Sequence, residues 1–354
     1  MTNNKFNHLK NLYIFFLFLS LIIFFFSTDN VQGKPFDINN IEISRPFEIN
    51  FDKNEVIDEG FEKAFSELIL LTVNSIDQKK IKKVKLNEIK GMIETFTIKE
   101  EKFINEIYFV NLGVSFNKKK FFNYLESKNI FPSVPEKKKF LFIPIIIDEN
   151  KRELLIFSKN IIFNEWNNNK EKFHLIEYIL PTEDLEDLDI VMKQFDTIEE
   201  YDFREVIDKY SLEDSIIALI FKNENEVRVL SRITIKKNII LKNQSFLVSE
   251  MNSKKIIDQL KVNYEDYWKN LNQINTSIKL NLNIQVKNND NLKIENFEKK
   301  LNKMNLVYEH NVLKFDKEYI FYQIVFNGTP KNFLKSMKED KFDIDTQNEI
   351  WILK

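Results

Sequence analysis

The sequence predicts a mixed α+β or α/β protein assembled from several small mixed-sheet modules, and three observations support this. Apolar residues recur at every second position in some stretches and at every third or fourth in others, so strands and helices are interleaved along the chain. The chain has 354 residues, more than one hydrophobic core usually organises, since domains hold about 100 to 200. At 43% hydrophobic and 30% charged, the composition is that of globular modules.

The N-terminus sets the expected compartment. Lys5 and Lys10 precede an apolar run from Leu12 to Phe26, interrupted only by Ser20 and followed by Ser27, Thr28, Asp29 and Asn30. This is the layout of a secretory signal. As a helix the run reaches roughly 22 Å, short of the hydrocarbon core of about 30 Å. Val31-Gln32-Gly33 offers a small-residue site, so residues 1–33 are expected to be a signal peptide cleaved before Lys34. The alternative is a retained, tilted anchor; either places residues 34 onward across the membrane, in the periplasm.

Residues 34–135 are expected to form an N-terminal α+β module. Ile41 and Ile43, then Phe47, Ile49 and Phe51, suggest short strands, and Ile57, Phe61, Ala64, Phe65, Leu68 and Thr72 form one helical stripe. Phe96 and Ile98 with Glu100, and then Tyr108 to Phe116, alternate as strands; Phe121, Phe122 and Leu125 give a short helix its apolar face. Two prolines and three lysines between Phe131 and Lys139 suggest a linker and a boundary at 135/136.

Residues 136–273 are expected to form a middle α/β module. Phe140 to Ile147 is continuously apolar, the pattern of a strand buried on both faces. Helical pieces near residues 159–170 and 197–210 flank a short strand at His174 to Leu180. Ile216 to Phe221, Val227 to Ile235 and Ile239 to Val248 suggest an antiparallel meander. A closing helix, Ser253 to Asn272, should bury Ile256, Ile257, Leu260, Tyr264, Tyr267 and Leu271.

Residues 274–354 are expected to form a ferredoxin-like C-terminal module, β-α-β-β-α-β. Ile278 to Val286 alternate strictly, and Ile294, Phe297, Leu301 and Met304 step as a helix. Leu306 to Phe315 and Tyr319 to Phe326 follow as strands, and Thr329-Pro330 caps a second helix carrying Phe333, Leu334 and Met337. Phe342, Ile344, Ile350 and Ile352 suggest one last strand.

Several of these stretches, taken in order, carry a resemblance: Phe96-Thr97-Ile98-Lys99-Glu100 with the strand to Phe116, Phe140 to Asp148, His174 to Leu180 with Pro181-Thr182-Glu183-Asp184-Leu185-Glu186-Asp187, and Tyr210 to Phe221. Over roughly residues 40 to 290 the chain resembles the secreted proteobacterial proteins grouped as domain of unknown function 2066. The resemblance rests on apolar patterns and one proline-acidic segment. It implies a periplasmic, multidomain architecture and transfers no active-site residues.

Composition excludes several chemistries. There is no cysteine, hence no thiol nucleophile, disulfide or thiolate metal site. Five glycines leave no material for a P-loop or a dinucleotide-binding loop. A net charge of −2 lends nothing to nucleic-acid binding. Lysine supplies nearly all of the 52 basic residues, and Lys, Asn, Ile and Phe share A/T-rich codons, so single lysine clusters carry little weight.

The candidate binding residues are Glu183, Asp184, Glu186 and Asp187, with Asp189 nearby, and Trp166 and Trp268. The carboxylates could take a hard cation or form a solvated turn capping a helix. The indoles could meet a partner or sugar, or fill cores at their helical spacing. Lys79, Lys80, Lys82, Lys83 and Lys85, with Lys118 to Lys120, could attract anionic groups or be solvated. His174 and His310 are the only histidines after the leader, too few for a multi-histidine metal centre, and neither lies in a nucleophile context. No catalytic residue and no cofactor is therefore expected. The expected function is non-catalytic: an envelope protein acting through protein contacts or self-association, with ligand or glycan binding as the alternative and a carboxylate-dependent hydrolase after that.

Overall fold

A computed structural model describes residues 36–81, 83–168, 175–224, 226–247 and 252–354. The expected signal peptide, Lys82, His174 and Val248 lie outside the described residues. The described chain is a mixed α+β protein with several small sheets, as the interleaved periodicities imply.

The first sheet holds β1 (Asp37–Pro46), β2 (Ile93–Ile104) and β3 (Ile107–Phe116) in the order β1-β3-β2, all neighbours antiparallel. Alternate residues of β3 from Tyr108 to Phe116 are buried against α1 (Lys53–Thr72). The Asp52 side chain caps α1 by accepting from Asn54 N at 2.8 Å. Gly60 in mid-helix costs about 1 kcal/mol of propensity, yet it lets α1 approach β3, because a Cβ there would collide with the Leu112 side chain. Two further helices, α2 (Leu86–Met92) and α3 (Lys118–Ser127), close the same core through Ile89, Met92, Phe121, Phe122 and Leu125. One expectation fails here: Phe47, Ile49 and Phe51 are not strand. β1 stops at Pro46, and the chain then turns to present Asp52 to the helix.

The second sheet is built around β4 (Lys138–Asp148). On one side β4 pairs in parallel with β7 (Ser215–Lys222), which continues antiparallel into β8 (Glu226–Ile235) and β9 (Asn238–Leu247). On the other side its first half pairs in parallel with β6 (Ile176–Ile179) and its end pairs antiparallel with β5 (Glu153–Leu155). Pro144 falls in the gap between these two partners. Its missing N–H is tolerated there, and its carbonyl accepts from the buried Asn160 side chain at 2.9 Å, which also accepts from Ile162 N to cap α4 (Ile161–Glu165).

The continuous apolar run of β4 serves two cores, as its pattern predicts. Phe140, Phe142 and Ile146 pack with α4 and α6 (Ser253–Leu271); Leu141, Ile143, Ile145 and Ile147 pack with α5 (Leu185–Met192) and with Ile198, Phe203 and Val206. Along α6 the expected stripe holds through Ile256, Ile257, Leu260 and Tyr264, with Tyr267 partly buried, and departs in the last turn, where Trp268 is buried and Leu271 is half exposed.

The third sheet follows the β-α-β-β-α-β order with one addition. β10 (Leu280–Lys287) is flanked by β12 (Tyr319–Phe326), which pairs with β11 (Val307–Phe315), all antiparallel. Phe297 and Leu301 of α7 (Asn291–Lys303) and Phe333 and Met337 of α8 (Pro330–Glu339) share one core with Leu282, Ile284 and Val286. Both helices therefore cover the same face. The single last strand expected from Phe342 to Ile352 is instead a pair, β13 (Ile344–Asp345) and β14 (Trp351–Leu353). β14 inserts between β10 and β13, parallel to β10, giving five strands.

Segment 131–136, expected to be a linker, is held between two helix ends. Ser133 donates from N at 2.7 Å and from Oγ at 3.1 Å to Thr72 O at the end of α1. Trp268 Nε1 donates to Glu136 O at 2.7 Å, and Ile274 N to Pro132 O at 2.7 Å.

Candidate functional site

The carboxylates singled out by the sequence come together around a lysine. Asp184 caps α5 by accepting from Glu186 N at 2.8 Å, and Lys209 reaches Asp184 at 3.3 Å, Glu186 at 3.4 Å and the buried Asp187 at 2.6 Å. The helix amide and the ammonium hold the Asp184 carboxyl below its ordinary range, and the three acids hold the Lys209 ammonium well above its own. Glu183 is exposed and Asp189 pairs with Lys193 at 2.6 Å. The internal lysine thus occupies the position a cation would take. Among the described residues no cluster of His, Asp or Glu has the arrangement of a metal site.

Trp166 is fully buried, stacked on Phe142 at 3.9 Å between ring centres, and Trp268 is buried against Phe140. Neither ring faces solvent. His310 is a half-buried strand residue whose Nε2 lies 3.1 Å from Asn302 Oδ1; burial lowers its pKa below the usual imidazole value. Lys118 is drawn inward to Met304 O at 3.3 Å and to Val307 O, and Lys119 pairs with Glu309 at 2.6 Å. An open depression of about 470 Å³ beside Lys137, Lys139, Ser211 and Glu213 has Lys138 bonded to the buried Asp214 at 2.6 Å.

The surface feature that stands out was missed by the sequence reading. At the far end of the first sheet, Asn105 and Glu106 both take positive φ (51° and 60°), the geometry of a two-residue type I′ hairpin between β2 and β3. The hairpin carries Phe103 and Ile104 on one strand and Ile107 and Phe109 on the other, and the loop after β1 brings Phe47 and Ile49 alongside. Phe47 N donates to Glu106 O at 2.7 Å, and the Phe47 ring centre lies 4.8 Å from that of Phe103. Phe47 is 51% exposed, Phe103 56%, and Ile49 is fully exposed. Below them a polar brace fixes the tip. Lys53 pairs with Glu101 at 2.7 Å and Tyr108 OH donates to Glu101 at 2.9 Å. Lys53 and Tyr108 lower the Glu101 pKa, while burial and the carboxylate push Tyr108 up to about 12.

A sequence signal for this tip exists: Phe103-Ile104 and Ile107-Phe109 straddle a two-residue turn beyond the reach of α1. The chain matches no family model and no curated protein.

Proposed function

We propose that this chain is an exported, non-catalytic envelope protein that acts by binding other proteins or its own copies. One observation carries the reading: six large apolar residues, Phe47, Ile49, Phe103, Ile104, Ile107 and Phe109, are exposed together at one end of a small sheet. Isolated exposed apolar side chains are ordinary, but six gathered about one rigid hairpin tip, Phe47 and Phe103 on the α1 face and Ile104, Ile107 and Phe109 on the other, lose water favourably only when something covers them. Glu48 and Glu106 lie within the same two loops. Their charge opposes adsorption to an anionic bilayer and favours a protein with polar or basic groups at its rim. Export is supported by the Lys5/Lys10, Leu12–Phe26, Gly33 layout, and the apolar patch gives an exported chain a surface on which to assemble.

Crosslinking followed by pull-down of the full chain from envelopes tests this. The expected result is a discrete protein adduct that is lost, at least tenfold, when Phe47 and Phe103 are both replaced by Glu. Recovery of glycan or lipid alone, or a protein adduct indifferent to those replacements, would contradict it.

A further inference from the structure

We propose that two copies of this chain join edge to edge through β2, antiparallel, about a twofold axis between Lys99 and Glu100. The inference goes beyond the interaction reading above, because it uses the middle of β2 while the two hairpin tips point apart and stay free. β2 is a twelve-residue outer strand, and among the described residues no strand pairs with its free edge. Lysines and bulges on such an edge normally repel a stray strand. β2 has both, Lys99 and Lys102 and a register shift between Ile98 and Glu100. These devices turn attractive only for a partner that supplies matching charges and a matching bulge at the same place.

β2 itself is that partner. Across the bulge, Phe96, Ile98, Glu101 and Phe103 pair with the buried-side residues Val114, Leu112, Val110 and Tyr108 of β3, so all four lie on the α1 face. Thr97, Glu100 and Lys102 pair with Gly113, Asn111 and Phe109, on the other face. With the axis between Lys99 and Glu100, Phe96 meets Phe103 of the second copy, Ile98 meets Glu101, Thr97 meets Lys102 and Lys99 meets Glu100. Facing residues share a face, the two bulges coincide, and the pairing at the axis is between opposite charges, twice.

A slip of one residue sets Glu100 against Glu100 or Lys99 against Lys99. A slip of two sets Lys99 against Lys102 and Glu100 against Glu101, or throws the two bulges out of line and sets Ile98 against Lys99. In the single chain Lys99 reaches Asn40, at 3.4 Å, and Glu100 pairs with its exposed neighbour Lys102. Exchanging such solvated contacts for the pairs across the axis costs little.

The chain has no cysteine, which makes disulfide trapping direct. Thr97→Cys with Lys102→Cys in the full chain, oxidised in cells that export it, should give a dimer. Five residues apart in one strand, about 17 Å, these positions cannot bond within a copy, since a disulfide spans Cα atoms no more than about 7 Å apart. Each single variant should give at least tenfold less dimer. Adding Lys99→Glu or Glu100→Lys to the cysteine pair should cut the yield about tenfold, and adding both should restore it. These positions are exposed, so each charge variant should keep the parent's circular dichroism spectrum, which shows that folding is intact. No dimer, equal trapping by the single cysteines, or failure of the double charge reversal to restore trapping would overturn self-pairing. An adduct with a different protein at the same cysteines would also overturn it; all of these outcomes leave the interaction reading standing, since that reading is tested at the hairpin tip.

Discussion

Lys118 occupies the first turn of α3, yet its ammonium lies beneath the start of β11, donating to Met304 O and Val307 O where α7 has run out of intrahelical partners. Burial lowers its pKa to about 8. Between about pH 8 and 10.5 the unfolded chain therefore holds a proton that the folded chain has released, and stability rises with pH across that window. Below pH 8 the charged, buried form carries a penalty of roughly 3 kcal/mol relative to the high-pH limit. Urea unfolding at pH 7.5 and pH 10 should show this rise, and Lys118→Met should reduce it, leaving the smaller share of Lys269, which burial also lowers; identical slopes in parent and variant would contradict the assignment. Sequence could not reveal this role, because the accepting carbonyls lie about 190 residues away and Lys118 looked like one of three surface lysines. Lys209, 22 to 25 residues beyond the acids it binds, was likewise outside any local pattern. Trp166 and Trp268 were more legible, since helical spacing already pointed to a core.

At the scale of elements, packing follows periodicity wherever the pattern is long. Phe297 on α7 is fully buried, with Tyr322 at 5.4 Å and Phe342 at 5.9 Å between ring centres. Its replacement by Ala should remove about 3 to 5 kcal/mol, transfer free energy plus a residual cavity, measurable as a lower denaturation midpoint with unchanged slope. A loss below about 1 kcal/mol would mean that α7 does not pack as described. The double-sided run of β4, the alternation of β10 and the stripes of α1 and α7 were all readable for this reason. Short or interrupted patterns misled. Ile344 and Ile350 to Ile352 alternate as if continuous, but the turn between them reverses the chain, so β14 runs beside β10 and β13 is pushed to the edge. Phe47 and Ile49 looked like strand because they alternate, and their exposure depends on where α1 ends its cover of the sheet.

Across the whole molecule the three sheets use contiguous stretches of sequence, and what ties them together is a set of long-range hydrogen bonds and ion pairs with a few shared apolar residues such as Leu71 and Leu306. The proline-bearing segment at 131–136 closes the end of α1 through Ser133, while Lys269 on α6 donates to Val73 O at 3.2 Å and Asp266 accepts from Ser75 N at 2.9 Å. Tyr308 on β11 donates to Asn123 on α3 at 2.7 Å, and Lys279 meets Glu126 at 3.4 Å. Proline and lysine composition signalled a boundary there, and it could not signal that Pro132 and Ser133 are buried. The same architecture leaves the tip of the first sheet clear of both junctions, carrying six apolar residues into solvent, and the functional proposal stands on that placement. The most direct measurement is photocrosslinking in cells from a photoreactive residue at Ile49, with the same residue at the exposed Lys338 on α8 as control, and mass identification of the adduct. The account predicts a discrete protein adduct from position 49, greatly reduced by Phe103→Glu and absent from position 338. Lipid or glycan adducts alone, or equal protein labelling from both positions, would contradict it.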